Sequence, residues 1–126
     1  MTFCLLWRVS VHQAQNKIQT GKTTLGIELG STRIKAVLAD EENKVIAIGN
    51  HDWENQLVDN IWTYSLDAIW KGLQDCYADL AQKVEREYEV AIETIGAIGF
   101  SAMMHGYMAF NASLEAPCTC GIHLIE

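Results

Sequence analysis

The stretch LGIELGSTRIKAVL, residues 25–38, decides the fold of this chain. Mostly apolar runs occupy positions 25–27 and 34–38, the second interrupted by Lys35, and Gly30, Ser31 and Thr32 lie between the two runs. Two short apolar runs joined by glycine and hydroxyl residues predict a β-hairpin.

The tip of the hairpin combines groups that favour anions. Backbone N–H groups lie beside two hydroxyls there, and Arg33 and Lys35 follow closely. A concave row of amides is a ready anion site. Glu28, which we expect to be buried in its apolar strand, is the candidate magnesium-facing carboxylate. The alternative is a plain structural hairpin, which a lone Gly-Ser-Thr turn favours.

Length and composition limit the class of protein. The chain has 126 residues, nine Lys plus Arg and sixteen Asp plus Glu, and a net charge of −7. Because nucleic acids and anionic membranes need a basic surface, neither is an expected partner. A hydrophobic content of 49% with one proline indicates an ordered globular chain, of a length that fits one domain. The four cysteines have no disulfide-framework spacing, and no signal peptide or membrane anchor is evident, so we expect reduced thiols and a cytoplasmic location.

Residues 1–23 are predicted to be an extension unrelated to the fold. Within them, Gly21-Lys22-Thr23 resembles the end of a phosphate-binding P-loop. The full pattern needs a glycine where Asn16 stands, and it needs a helix to follow, whereas a strand is predicted there. We therefore reject a P-loop.

Downstream of the hairpin, the pattern predicts a third strand, a loop and a helix. Residues 44–49 complete an antiparallel three-strand meander. Residues 51–64 form an aromatic and acidic loop, which either packs on the surface, as we favour, or contributes to a cleft. Residues 65–89 carry an apolar stripe at three- and four-residue spacing, which predicts an amphipathic helix with Ser65 as N-cap and Cys76 in the core.

A fourth strand, residues 92–100, is predicted to be buried and to lead into the loop Ser-Ala-Met-Met-His-Gly at 101–106. A histidine beside a glycine at the end of a strand is a common contact for small ligands, although a lone histidine is more often structural. The order strand, strand, strand, helix, strand begins a ribonuclease H-like α/β unit, the N-terminal domain of actin-like ATPases, here incomplete.

Two motifs give a resemblance to a known family. LGIELGSTRIKAVL resembles the first phosphate motif of the FGGY carbohydrate kinases, whose usual form is G-I-D-L-G-T-[TS]-x-x-K. FSAMMHGYM resembles their sugar-contacting segment, S-G-Q-M-H-G in xylulokinases and F-S-x-x-M-H-S in gluconokinases. The resemblance covers residues 24–111, so we expect a partial N-terminal kinase domain at 24–112.

The resemblance implies an ATP-dependent phosphorylation of a sugar or sugar acid, with Mg²⁺. Glu28 matches the acid that holds Mg²⁺ through water. The residues that match the ATP phosphate-binding motif are Gly30, Ser31, Thr32 and Lys35. The residues that match the sugar contact are Met104, His105 and Gly106.

The chain departs from the family pattern at several positions. Glu28 replaces the usual Asp, and its carboxylate reaches one methylene further. Ala102 and Met103 replace Gly and Gln of the xylulokinase motif, which removes an amide from the sugar pocket and leaves pentulose, gluconate-like and other polyol substrates open.

Residues 113–126 match nothing in the family, and we expect a non-native tail, consistent with a truncated or frameshifted reading frame. Its Cys118, Cys120 and His123 form only a weak zinc pattern. Because the catalytic base and half of the ATP site are expected elsewhere, we predict that the chain alone is inactive. The alternative function is a non-catalytic ribonuclease H-like interaction module.

Overall fold

The predicted hairpin is confirmed as the centre of a four-stranded sheet, and the predicted three-strand meander is confirmed as part of it. The computed structural model describes residues 2–104, 106–107, 110–113 and 120–122. The elements are α1 (Thr2–Gln19), β1 (Thr23–Leu29), β2 (Arg33–Asp40), β3 (Val45–Asp52), β4 (Gln56–Val58), β5 (Ile61–Tyr64), α2 (Leu66–Tyr88), β6 (Ala97–Ala102), β7 (Gly106–Tyr107) and β8 (Cys120–Ile122). The first sheet has the order β3-β2-β1-β6, with β6 parallel to β1 and the other pairs antiparallel.

Helix α2 covers one face of this sheet, and its ends follow from its sequence. The Ser65 hydroxyl accepts a hydrogen bond from the Ala68 N–H at 3.1 Å, so it caps the N-terminus as predicted. The helix ends where Glu89 takes a left-handed conformation at φ 55° and its N–H bonds to the Glu85 carbonyl. The predicted amphipathic helix is therefore confirmed.

The core lies between α2 and the sheet. Leu25, Ile34, Ala36 and Leu38 point from β1 and β2 toward α2 and are almost fully buried. The helix contributes its own buried stripe, which consists of Gly72, Cys76, Leu80 and Val84. Because strand side chains alternate between faces, the residues between these core positions point to the opposite face, which α2 does not cover.

Helix α1 corrects the expectation that residues 1–23 are unrelated to the fold. Ile18 is fully buried and belongs to the core cluster. The Lys17 ammonium donates to the Asp40 carboxylate at 2.8 Å, and the Gln15 amide donates to the Tyr88 carbonyl at 2.7 Å. The C-terminal end of α1 thus packs on the end of the sheet and of α2. Within the part of the chain that the structure describes, no helix is long and apolar enough to cross a membrane.

The segment predicted as a loop at 51–64 contains the hairpin β4–β5. Asp59 and Asn60 form its two-residue turn with φ 51° and 62°, which is the backbone of a type I′ turn. Trp53 and Tyr64, at the two ends of the segment, are buried, as the packing interpretation predicts. The rest of the hairpin is exposed, and only Thr63 and Tyr64 of β5 are buried.

The fourth strand and the tail also differ from expectation. Strand β6 begins at Ala97, and its residues are exposed, so the prediction of a buried strand at 92–100 is wrong. Residues 120–122 form β8, which lies between β5 and β7 in a second sheet. Cys118 and His123 of the weak zinc pattern lie outside the described residues.

Candidate functional site

The β1–β2 turn, Gly30-Ser31-Thr32, is narrow and needs its glycine. The Gly30 N–H donates to the Arg33 carbonyl at 2.9 Å, which closes the turn. A Cβ at Gly30 would lie 2.8 Å from that carbonyl oxygen, closer than real Cβ contacts come. Only glycine therefore fits at this position without moving the backbone.

Two buried aromatic residues hold the carbonyl groups of the β1–β2 turn. The Trp53 indole N–H donates to the Gly30 carbonyl at 2.8 Å, and the Trp53 backbone N–H donates to the Thr32 carbonyl at 3.2 Å. The Tyr64 hydroxyl donates to the Ser31 carbonyl. The two rings stack with their centroids 4.2 Å apart. Burial raises the pKa of the Tyr64 phenol, so the hydroxyl keeps the proton that it donates.

The three carbonyls of the turn are therefore occupied, and its remaining backbone donors are the amides of Ser31 and Thr32. Ser31 and Thr32 are exposed. Within the described part of the chain, their backbone N–H groups have no protein acceptor. Exposed, oriented amides of this kind can bind an anion such as a phosphate. The anion site at the tip of the hairpin stays a prediction, and these two amides are the donors that it would use.

Glu28 and Lys35 lie beside the turn, on the face of the sheet opposite α2, which we call the open face. They are directly opposite each other in the β1–β2 pairing, and Ser101 of β6 is the neighbour of Glu28 on its other side. Both Glu28 and Lys35 are exposed, so the expectation that Glu28 is buried is wrong. The three residues contribute to a shallow groove of about 450 Å³.

The donors in this groove fit a hydrated magnesium ion better than an all-protein metal cage. No group of three or more potential metal-binding side chains occurs among the residues that the structure describes. Mg²⁺ commonly keeps several waters and binds one or two carboxylates together with phosphate oxygens. Glu28, a single exposed carboxylate beside the β1–β2 turn, is a donor of this kind.

The second motif reaches the same end of the sheet. Ala102, the last residue of β6, pairs with Leu29, the last residue of β1, and the Met103 N–H donates to the Leu29 carbonyl at 3.2 Å. Met104 is 87% exposed, and the Gly106 N–H donates to the Met103 carbonyl. His105 lies outside the described residues. The structure therefore brings the backbone of the two motifs together at one end of the sheet.

Sequence reasoning missed the roles of Trp53 and Tyr64. The available signal was the cluster of aromatic residues in the segment at 51–64, for which we favoured surface packing over a contribution to a cleft. A buried indole or phenol needs a hydrogen-bond acceptor, and the carbonyls of a nearby tight turn are suitable ones.

Comparison with known proteins supports the family resemblance that the two motifs indicate. The profile of the "FGGY family of carbohydrate kinases, N-terminal domain" matches residues 23–117. No curated protein sequence matches the chain.

Similar solved structures include kinases named for xylulose, gluconate and glycerol. A xyloylose kinase from Brucella ovis superposes with a TM-score of 0.66 and 21% identity, over 79% of this chain and 20% of that one. A gluconate kinase from Lactobacillus acidophilus gives 0.62 and 23%, over 79% and 19%. A Plasmodium falciparum glycerol kinase with ADP gives 0.60 and 12%, over 79% and 20%. These likenesses show the fold.

The chain spans about a fifth of the length of these kinases. The profile match covers most of this chain, including both motifs and the helix between them. The chain belongs to the FGGY family of carbohydrate kinases, of which it carries the N-terminal domain.

Proposed function

We propose that this chain supplies the phosphate-binding part of an ATP-dependent carbohydrate kinase site. The observation that carries the proposal is the β1–β2 turn, whose carbonyls are held by Trp53 and Tyr64, while the amides of Ser31 and Thr32 have no acceptor among the described residues. Phosphoryl transfer depends mostly on positioning and on charge stabilisation. An amide cradle supplies both without any covalent step by the protein.

The charged residues of the open face have complementary roles in this proposal. Lys35 provides a positive charge next to the phosphates. Glu28 holds Mg²⁺ through water, and the bound ion supplies charge neutralisation at the phosphate oxygens. The longer side chain of glutamate suits a water-mediated contact, because Glu28 is exposed rather than packed against the turn.

The sugar or sugar acid is proposed to lie at the end of β6, against Met104, His105 and Gly106. This placement is supported by the contact between Met103 and Leu29, which brings the segment beside the β1–β2 turn. A hydroxyl-rich ligand needs a few placed polar groups on a shaped wall. The substitutions at Ala102 and Met103 leave pentulose, gluconate-like and other polyol substrates open.

The proposed cytoplasmic location and the proposed partners follow from the chemistry of the substrates. ATP and free sugars are available in the cytoplasm, and the net charge of −7 makes nucleic acid an unfavourable partner. We expect no turnover from the chain by itself. The proton-accepting group and the adenosine site are proposed to be contributed by further parts of a kinase.

Nucleotide binding by the chain itself tests the proposal. In amide-resolved NMR titrations with ATP and Mg²⁺, we expect the Ser31 and Thr32 resonances to shift. Inorganic triphosphate should shift the same two amides, because the proposed contacts are to phosphate.

The magnesium role is tested with two matched variants. Glu28→Gln should weaken the apparent affinity for Mg²⁺, measured from the Mg²⁺-dependent shifts, by roughly tenfold. This is the usual loss when an outer-sphere contact to a metal ion is removed. Glu41→Gln removes the same charge from the exposed β2–β3 turn and should leave the shifts unchanged. Shifts distributed over the surface without a maximum at the β1–β2 turn would contradict the proposal.

A further inference from the structure

Arg33 lies beside the β1–β2 turn, at a position that the family pattern leaves open. It follows Thr32 directly, and in G-T-[TS]-x-x-K it occupies the first unspecified position. In β2 the exposed Arg33 alternates with the buried Ile34, so its side chain lies on the open face together with that of Lys35. Two cationic side chains therefore lie on the open face, next to the amides that are proposed to bind phosphate.

The side chain of Arg33 is oriented by Asp52, its partner in the β2–β3 pairing. The Arg33 Nε–H donates to the Asp52 Oδ1 at 2.7 Å. Trp53, the residue after Asp52, donates its backbone N–H to the carbonyl of Thr32, the residue before Arg33. Because this backbone bond joins β3 to the turn at the next residue, the ion pair is held beside the turn.

The guanidinium of Arg33 keeps most of its donors after it pairs with Asp52. An arginine carries several N–H donors, and within the described part of the chain only the Nε–H of Arg33 has a protein acceptor. The side chain of Arg33 is 57% exposed and that of Asp52 is 77% exposed. Because an ion pair this exposed contributes little to stability, folding alone gives no reason for it. The free Nη groups form a planar fork that matches the oxygens of a phosphate.

We propose that Arg33 is a further phosphate-binding residue, and that Asp52 is the positioning residue that orients it. The ligand is the phosphate chain of a nucleoside triphosphate, or a free triphosphate, bound at the amides of Ser31 and Thr32. This assignment rests on the proposed function, because it requires phosphate at the β1–β2 turn. Asp52 keeps the Nε–H while the Nη groups donate to phosphate oxygens. The arginine is therefore oriented before the ligand arrives, and binding costs it less side-chain freedom.

Titration with inorganic triphosphate in the presence of Mg²⁺ tests the role of Arg33. Binding is followed by NMR at the amides of Ser31 and Thr32. Arg33→Gln should raise the dissociation constant by roughly tenfold, the scale of one charge-assisted hydrogen bond. ATP should give the same ratio, because the contacts are to phosphate. Arg86→Gln is the matched control, since it removes the same charge from an exposed position in the last turn of α2, and it should leave the constant unchanged.

The guanidinium resonances of Arg33 locate the contact in the natural chain. We expect triphosphate to shift the Nη–H resonances and to slow their exchange with water. The Nε–H resonance should stay where it is, because this group remains bonded to Asp52.

Asp52→Asn separates orientation from charge. If charge alone mattered, removing a negative group beside the phosphates would tighten the binding of triphosphate. We expect weaker binding, because a neutral amide holds the guanidinium less firmly than a carboxylate does. Tighter binding would overturn the positioning role of Asp52.

Equal dissociation constants for Arg33→Gln and Arg86→Gln, with Ser31 and Thr32 still responding to triphosphate, would overturn the role of Arg33 and leave the proposed function standing. Nη–H resonances that do not respond in the natural chain would overturn it even if Arg33→Gln fails to fold. If the Ser31 and Thr32 amides of the natural chain do not respond to triphosphate, both proposals are wrong.

Discussion

Tyr64 donates its hydroxyl hydrogen to the Ser31 carbonyl and stacks on Trp53. Tyr64→Phe keeps the ring and removes only this hydrogen bond. We expect a loss of about 1–2 kcal/mol in the free energy of unfolding, because the carbonyl loses its donor where water has poor access. Urea denaturation measures the loss, and amide exchange at Ser31 and Thr32 should become faster.

Tyr88→Phe is the control for that substitution. Its hydroxyl also donates to a backbone carbonyl, that of Ile46, but far from the β1–β2 turn. This variant should leave exchange at Ser31 and Thr32 unchanged. Equal exchange in the two variants would mean that Tyr64 does not order the turn.

Glu28 shows what can be predicted about a single residue from sequence. Its place in a strand and its pairing with Lys35 follow from the hairpin pattern. Its burial does not, because alternation assigns side chains to two faces without saying whether anything covers the second face. An apolar run at residues 25–27 suggested a covered strand, yet Gly26 and Glu28 are exposed on the open face.

At the scale of elements, the helices and strands with a strong hydrophobic period could be predicted from the sequence. The hairpin β1–β2 and helix α2 have one, and both are confirmed. Strands β4 and β5 have three and four residues, too few for a period to be recognised. Helix α1 was missed because its weak amphipathic pattern was interpreted as an extension, although its last turns bury one isoleucine in the core.

Helix α1 should matter for stability through Ile18. This side chain is fully buried, so Ile18→Ala removes apolar contacts and leaves a cavity. We expect a loss of about 2–4 kcal/mol in the free energy of unfolding. Gln19→Ala, at an exposed neighbouring position, should change it by less than about 0.5 kcal/mol. Equal effects in denaturant melts would show that α1 does not dock.

The contact of α2 with β3 should depend on Gly49. A Cβ at this position would lie 2.2 Å from the Cys76 carbonyl oxygen and 2.7 Å from the Leu80 Cβ. Gly49→Ala should therefore force helix and sheet apart and cost about 3 kcal/mol or more. Gly26→Ala is the matched control, because nothing lies within 4 Å of a Cβ there. It should be close to neutral in the same thermal melts.

The whole molecule has one covered sheet face, one open face and one outer strand, β6, whose residues are exposed. Helix α2 covers the first face and guards β3 with three polar contacts. The open face carries the candidate site, and β6 provides the edge. This division explains why a chain with a well-buried core still exposes large apolar side chains such as Phe100.

Alkaline pH should destabilise the whole molecule, first through Cys76. Burial raises the pKa of this thiol above its ordinary value, and the side chain is 1% exposed. The folded chain then keeps a proton that the unfolded chain releases near pH 8.5, so the free energy of unfolding falls as the pH rises past that value. Below it, the contribution of the thiol is fully present.

Cys76→Ala isolates this effect. The difference in free energy of unfolding between the natural chain and the variant should shrink by roughly 1 kcal/mol between about pH 8 and 9.5. Tyr64→Phe provides the control, because a phenol in the unfolded chain ionises only near pH 10 and its difference should stay constant in that window. Urea denaturation at each pH measures both differences. A constant difference for Cys76→Ala would mean that the thiol ionises equally in the folded and unfolded chain, and that the contact of α2 with the sheet does not exclude water from the core.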